Sequence, residues 1–114
     1  MKLLIVEDNP SVRRILKTVV SSLAGEILEC DNGDESVLLY QNEEPDFVLM
    51  DINLVDTNGI EAARKITAYD QHAKVIMVTS YDEPDLRQAA AEAGAIGFVV
   101  KEDLSPLISI LKNK

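Results

Sequence analysis

Five short apolar runs alternate along the chain with segments in which apolar residues recur at helical spacing. The runs cover residues 2–6, 26–30, 47–50, 75–78 and 98–100. Most of them lack alternating polar residues, which is typical of strands that are buried on both faces of a parallel sheet. Glu26 and Glu29 interrupt the second run, so this strand is predicted to lie at an edge of the sheet.

The strongest helical pattern lies between the first two runs. Six apolar residues recur there at i, i+3, i+4, i+7, i+8 and i+11, which places them on one stripe of a helix. They are Val12, Ile15, Leu16, Val19, Val20 and Leu23. Asn9 suits the N-cap and Pro10 the first helical position. Further helices are predicted over about residues 33–41, 60–69, 85–93 and 105–112; the alanine-rich fourth has a thin apolar face, so we expect it to move most easily.

Five strands, each followed by a helix, predict one α/β domain over residues 1–114. Right-handed crossovers turn such units into an open, doubly wound sheet with helices on both faces, a three-layer (βα)5 sandwich. Sheets of this kind bind ligands beyond the carboxyl ends of their strands. Functional residues are therefore expected directly after the strands.

Composition limits the classes of function. The chain has 20 acidic and 11 basic residues and a formal net charge of −9, so it repels phosphate backbones and anionic lipid surfaces. We therefore expect no direct nucleic-acid or membrane binding, and cationic partners instead. Cys30 and His72 are the only cysteine and histidine, which argues against a disulfide or a zinc site. The first apolar run is too short for a signal peptide or membrane span, so the cytoplasm is the expected compartment.

Charged and polar residues follow four of the five strands. They are Glu7 and Asp8 after the first, Asp51 after the third, Thr79 and Ser80 after the fourth, and Lys101 after the fifth. Three carboxylates at one edge would raise one another's pKa values unless a cation lay among them. Hard oxygen ligands favour Mg²⁺ over zinc or copper. The edge therefore has the composition of a divalent-cation site.

Each of these residues also has a simpler interpretation. Asp8 could favour the positive end of the first helix dipole, and Asp51 could begin a turn. Ser80 and Glu83 fit a capping box, and Lys101 could be a surface lysine. Four such coincidences at neighbouring strand ends are a weaker explanation than one shared site.

The chain resembles the receiver domain of two-component response regulators over essentially its whole length. The residues that carry the resemblance are 4–9 (Leu-Ile-Val-Glu-Asp-Asn), 51–53 (Asp-Ile-Asn) with Gly59 eight residues after the aspartate, 78–80 (Val-Thr-Ser) and 95–101 (Ala-Ile-Gly-Phe-Val-Val-Lys). The resemblance implies a flavodoxin-like sheet with strand order 2-1-3-4-5. It also implies that Asp51 accepts a phosphoryl group from the phosphohistidine of a sensor histidine kinase or phosphotransfer protein and signals to a downstream effector protein or domain. Such a phosphoacceptor promotes its own phosphorylation and dephosphorylation and is not a turnover enzyme in the usual sense.

The resemblance assigns further roles around Asp51. Mg²⁺ would be bound by Asp8, by Glu7 through water, by Asp51 and by the backbone carbonyl of Asn53. Lys101 would meet Asp51 in the resting state and a phosphoryl oxygen afterwards.

The remaining roles concern switching and hydrolysis. Thr79 would donate its hydroxyl to the phosphoryl group, and Phe98 would turn inward as that hydroxyl moves. The fourth helix, fifth strand and fifth helix would form the output face, where a homodimer is a further expectation. Asn53 and Tyr81 flank the path of hydrolytic water, and a bulky Tyr81 is expected to slow dephosphorylation.

Two departures from the family pattern matter. Many relatives carry Met-Pro three and four residues after the aspartate, whereas this chain has Leu54 and Val55, so we expect a less rigid loop. The family lysine usually precedes a cis proline, but Lys101 precedes Glu102. A cis bond without proline costs about 2.5–4 kcal/mol; we expect a cis bond here, with a shifted trans backbone as the alternative.

Three rival functions are compatible with a fold of this kind. A flavin carrier needs a phosphate-cradling loop after the first strand, where this chain has Glu-Asp-Asn-Pro. A phosphatase of the haloacid dehalogenase type needs a second carboxylate two residues after the nucleophile, where Asn53 stands. The third rival is a receiver-like interaction domain that works without phosphorylation.

Overall fold

The computed structural model of the chain describes residues 1–113 and contains five strands that alternate with five helices. The strands are β1 (Lys2–Val6), β2 (Glu26–Cys30), β3 (Phe47–Met50), β4 (Val75–Thr79) and β5 (Gly97–Val100). The helices are α1 (Pro10–Val20), α2 (Gly33–Glu43), α3 (Gly59–Tyr69), α4 (Pro84–Glu92) and α5 (Ser105–Lys112). Most predicted boundaries agree with these within two residues.

The strands form one parallel sheet in the order β2-β1-β3-β4-β5. This confirms the expected doubly wound, flavodoxin-like arrangement. Strands β3 and β4, which are apolar except for Thr79, are buried along their whole length, and β2 lies at an edge with Glu26 exposed. The sequence pattern thus predicted both the central strands and this edge.

Two apolar clusters cover the two faces of the sheet. Side chains that alternate along the strands face opposite clusters, as the two-residue period of a strand requires. One cluster contains Leu16 of α1 and Leu107 of α5, and the other contains Tyr40 of α2, Ile66 of α3 and Ala90 of α4. The three-layer sandwich therefore has α1 and α5 on one face and α2, α3 and α4 on the other.

Helix α1 differs from the prediction at two positions: it ends at Val20, so Leu23 lies beyond its last turn, and Ile15 is exposed. Leu16 and Val20 are buried as its apolar stripe predicts, but Ile15 is 53% exposed. Ile15 and Val20 lie at opposite margins of the apolar stripe, which is wider than the surface that the sheet covers. Helix α1 is rotated so that the Val20 margin faces the sheet and the Ile15 margin faces solvent. The stripe therefore predicted the helix and its buried face but not which margin stays in solvent.

Helix α4 has the thin buried face that its alanine content predicted, since Ala90 is the only buried residue within it. No side chain caps its first turn, whereas the Thr67 hydroxyl donates to the Ala93 carbonyl just beyond its last turn at 2.7 Å. Across residues 1–113, no helix is long and apolar enough to cross a membrane.

Candidate functional site

The parallel sheet places the ends of four strands side by side. Backbone hydrogen bonds continue past the strands, from the Glu7 N–H to the Cys30 carbonyl at 3.1 Å and from the Asp51 N–H to the Val6 carbonyl at 3.0 Å. The Lys101 N–H donates to the Thr79 carbonyl at 2.8 Å. The residues that follow β1, β3 and β5 are thereby fixed by the sheet itself.

Three carboxylates meet at this edge. Glu7, Asp8 and Asp51 each offer an oxygen within 4.8 Å of the other two. Glu7 is 1% exposed and Asp51 5%, so two of the three acids are almost completely removed from water. The side-chain nitrogen of Lys101 lies 2.8 Å from Glu7 Oε1 and 3.3 Å from Asp51 Oδ2. One lysine thus lies between two buried acids.

Burial and these contacts shift two pKa values. Burial raises the pKa of the Glu7 carboxyl above its ordinary value, although Lys101 and the Asn9 N–H, which donates to Glu7 Oε2 at 3.2 Å, act in the opposite direction. Burial alone would lower the pKa of Lys101, but the neighbouring Glu7 and Asp51 carboxylates together raise it. Lys101 is therefore held as a cation at neutral pH.

The donor set fits a hard divalent cation. Glu7 Oε1 is buried, and although Lys101 is close, the angles of that contact are not those of a hydrogen bond, so the oxygen has no donor within residues 1–113. A cavity of about 340 Å³ opens beside it, with Asp8, Asp51 and Asn53 in its lining. Carboxylate oxygens with space for water molecules are the surroundings that Mg²⁺ prefers.

Thr79 and Tyr81 lie on the β4 side of this cavity. Thr79 is fully buried, and its hydroxyl oxygen accepts the Tyr81 N–H at 3.2 Å. The Tyr81 side chain is half exposed and lines the cavity. The capping box of Ser80 and Glu83 does not form, because Glu83 itself is the N-cap of α4 and no side chain caps that helix. Ser80 instead lines the cavity.

The loop from β3 to α3 makes contacts that its sequence does not predict. Its base is closed by an antiparallel bridge between Asn53 and Asn58. Its tip is held by Asp56, whose carboxylate accepts the Gly33 N–H at 2.8 Å and the Asp34 N–H at 2.9 Å. These bonds lower the pKa of Asp56. The loop without the Met-Pro pair is thus attached to the start of α2.

Phe98 lies at the boundary between β5 and α4. Its ring is partly buried against the α2–α4 cluster, and the Arg87 guanidinium carbon lies 4.6 Å from the ring centroid. A guanidinium over an aromatic ring at this distance is a cation–π contact.

The expectation of a cis bond between Lys101 and Glu102 was wrong, because the bond is trans. Without proline, the trans form is favoured by about 2.5–4 kcal/mol. Lys101 nevertheless reaches both carboxylates from the trans backbone.

Two residues near the site were not singled out from the sequence. The Asp56 carboxylate accepts a hydrogen bond from the Gly33 N–H at the start of α2, 23 residues earlier in the chain. The Arg13 side chain donates to the Glu7 carbonyl oxygen at 2.6 Å. An arginine one turn into the helix after an acidic pair is a signal that could have identified Arg13. The sequence carries no comparable signal for Asp56.

Comparisons with known proteins agree with this fold. A sequence model of the response regulator receiver domain matches residues 3–112. Chemotaxis protein CheY of Listeria monocytogenes is 37% identical over 102 residues, which are 89% of this chain and 86% of that protein. Chemotaxis protein CheY of Halobacterium salinarum is 33% identical over 107 residues, covering 94% and 89%. The crystal structure of a CheY-like receiver domain protein from Methanospirillum hungatei matches with a TM-score of 0.89 at 26% identity, over 98% of this chain and 90% of that one.

The chain therefore belongs to the response regulator receiver domain family. It is a CheY-like receiver domain of two-component signalling, a family whose members interact with histidine kinases and effector domains. The alternative hypothesis, an interaction domain that works without phosphorylation, is not favoured. The acidic cluster that Mg²⁺ binding in this family requires is present as Glu7, Asp8 and Asp51.

Proposed function

We propose that Asp51 is the phosphoacceptor of this receiver domain. The observation that carries the proposal is the position of its carboxylate, buried at the end of β3 between Lys101 and the two acids that follow β1. In the transfer, an Asp51 carboxylate oxygen attacks the phosphorus of a phosphohistidine. The new P–O bond forms as the P–N bond breaks, and the imidazole leaves with the electron pair of that bond. An ionised carboxylate needs no general base for this step.

Asp8, Asp51 and the backbone carbonyl of Asn53 would hold Mg²⁺ directly, with Glu7 bound through water. When bound, the ion supplies positive charge that offsets the negative charge of the acids and of the transferred group. The buried Glu7 oxygen without a donor and the oxygen-rich cavity support this assignment.

Lys101 and Thr79 would stabilise the transferred group. The Lys101 ammonium, now shared by two carboxylates, would contact a phosphoryl oxygen as a fixed positive charge. The Thr79 hydroxyl, whose oxygen accepts the Tyr81 N–H, would donate its own hydrogen to another phosphoryl oxygen. Asn53 and Tyr81, which both line the cavity, would set how easily water reaches the acyl phosphate.

The signal would leave through α4, β5 and α5. Helix α4 has one buried residue and an uncapped first turn, so a shift between two populated positions costs few contacts. The partners on either side would be a sensor histidine kinase or histidine phosphotransfer protein and an effector protein or domain, with a homodimer through the same face as one output. These events would take place in the cytoplasm.

Acetyl phosphate with Mg²⁺, followed by intact-mass measurement, tests the proposal. The wild type should gain one phosphoryl group, Asp51→Asn should gain none, and chelating the metal should abolish the gain. Asp56→Asn is a matched control that alters another aspartate of the same loop and should still be phosphorylated. If the wild type gained no phosphoryl group, or if Asp51→Asn gained as much as the wild type, the proposal would be contradicted. That result would favour the alternative of an interaction domain that works without phosphorylation.

A further inference from the structure

Arg13 connects the first helix to the backbone of the acidic cluster. Its Nη1 donates to the Glu7 carbonyl oxygen at 2.6 Å, and its Nε donates to Glu29 Oε1 at 3.1 Å. The guanidinium therefore links α1, the segment after β1 and strand β2. Only 23% of the Arg13 side chain is exposed, so these contacts are partly shielded from water.

The second anchor of Arg13 is itself fixed. Glu29 also pairs with Lys17, whose Nζ lies 3.0 Å from Glu29 Oε2. The backbone N–H of Glu7 donates a hydrogen bond to the Cys30 carbonyl oxygen. The backbone of Glu7 is thus held from both directions, with a planar fork of donors on one side that lysine cannot reproduce.

We infer that Arg13 is a positioning residue for the cation site of Glu7 and Asp8. The carbonyl that Arg13 holds belongs to the peptide unit joining these two acids, so fixing it fixes the directions in which both carboxylates leave the backbone. The inference rests on the proposed function in so far as Mg²⁺ is the ion bound there. Partners that orient metal ligands in this way commonly contribute 10- to 100-fold to metal affinity.

Charge and positioning predict opposite effects of removing Arg13. A cation beside an acidic site repels Mg²⁺, so loss of charge alone would tighten binding. Loss of a positioning contact would weaken it, because the two carboxylates would no longer be held in place. The direction of the change in Mg²⁺ affinity therefore separates the two roles.

The test is titration calorimetry of the full chain with Mg²⁺ alone. Arg13→Met should weaken binding about tenfold, and Arg13→Lys, which keeps the charge, should also weaken it. Arg14→Met is the matched control, since Arg14 is exposed on the same helix and its side chain makes no ion pair or hydrogen bond within residues 1–113. Its affinity should stay within about twofold of the wild type or rise slightly.

Unchanged or tighter binding by Arg13→Met would overturn the inference. If that variant does not fold, Arg13→Lys and Glu29→Gln decide the question by the same titration. Amide exchange without metal gives an independent readout: the Glu7 and Asn9 N–H groups should exchange faster in Arg13→Met than in Arg14→Met, and equal rates would also overturn it. A wild type that binds no Mg²⁺ or accepts no phosphoryl group contradicts the proposed function, whereas the exchange rates still decide the role of Arg13.

Discussion

The ammonium of Lys101 lies closer to Glu7 than to the carboxylate that the proposed chemistry uses. The distances are 2.8 Å to Glu7 Oε1 and 3.3 Å to Asp51 Oδ2. Family resemblance predicted the contact with Asp51, but the contact with Glu7 follows from the burial of Glu7, because an almost completely buried carboxylate needs a positive neighbour. Lys101 thus compensates both acids.

Replacing Lys101 should raise the pKa of Glu7 further. Burial already raises that pKa, and Lys101 opposes the rise. Because the folded pKa exceeds the unfolded one, the folded state binds more protons, and stability falls as the pH rises above about 4.3. In metal-free Lys101→Met, carbon NMR of the Glu7 carboxyl should show a higher pKa, and this loss of stability should extend to higher pH.

Lys65→Met is the control, because Lys65 is exposed on α3 and its replacement should leave the Glu7 titration unchanged. The raised pKa of Lys101 has a linkage of the same sign in a higher pH range, so its stabilising contribution is present at neutral pH and is lost as the pH rises through the folded value. A Glu7 pKa that stays the same or falls in Lys101→Met would show that the pair does not couple.

Gly59 should not tolerate a side chain. A Cβ at this position would overlap the Asp51 carbonyl oxygen, and its neighbours there are backbone atoms that cannot rotate away. We expect Gly59→Ala to lower the free energy of unfolding by about 3 kcal/mol, although alanine favours a helix. Denaturant unfolding checks this, with Gly25→Ala as the control, since the nearest atom to a Cβ there lies at 3.7 Å. Equal stability of the two variants would contradict the close approach.

Tyr81 should prolong the life of the phosphorylated state. Its side chain is half exposed and lines the cavity beside Asp51, where it limits the approach of water. After removal of excess acetyl phosphate, the adduct on Tyr81→Ala should therefore decay several-fold faster than on the wild type. Tyr69→Ala, which replaces an equally exposed tyrosine on α3, should leave the decay rate unchanged. An unchanged lifetime in Tyr81→Ala would exclude this role.

Phe98 should report the switch directly. The chain has two phenylalanines, so fluorophenylalanine labelling gives two resonances, one from Phe98 and an internal control from fully buried Phe47. Beryllofluoride with Mg²⁺ should shift only the Phe98 resonance. Arg87→Met should move it part of the way without the ligand, because the cation–π contact contributes about 0.5–1 kcal/mol to the present position. A Phe98 resonance that stays fixed in a protein shown to be phosphorylated would contradict the switch.

The sequence predicted the fold well where burial is continuous. Strand β3 is apolar throughout and β4 is apolar up to Thr79, which is typical of strands buried on both faces, and the edge position of β2 follows from its two glutamates. Ile15 shows where the pattern ends, because the apolar stripe of α1 does not tell how far the helix rotates against the sheet.

The candidate site was predictable in its residues and less so in its contacts. Topology alone brings Glu7, Asp8 and Asp51 together, since parallel strands end at the same edge. Two hydrogen bonds depend on tertiary placement, which no local pattern encodes. They join the Asp56 carboxylate to the start of α2 and the Arg13 side chain to the Glu7 carbonyl oxygen. The trans bond at Glu102 was missed because the family pattern was carried onto a position that lacks its proline.

The identity of the phosphorylated residue is the most direct test of the whole account. Borohydride reduces an acyl phosphate of aspartate to homoserine, which marks the site permanently for peptide mass spectrometry. After acetyl phosphate and Mg²⁺, we expect homoserine at Asp51 and unmodified aspartate at Asp8 and Asp56. Homoserine at another aspartate, or none in a protein that has gained a phosphoryl group, would contradict the assignment of Asp51 as the phosphoacceptor.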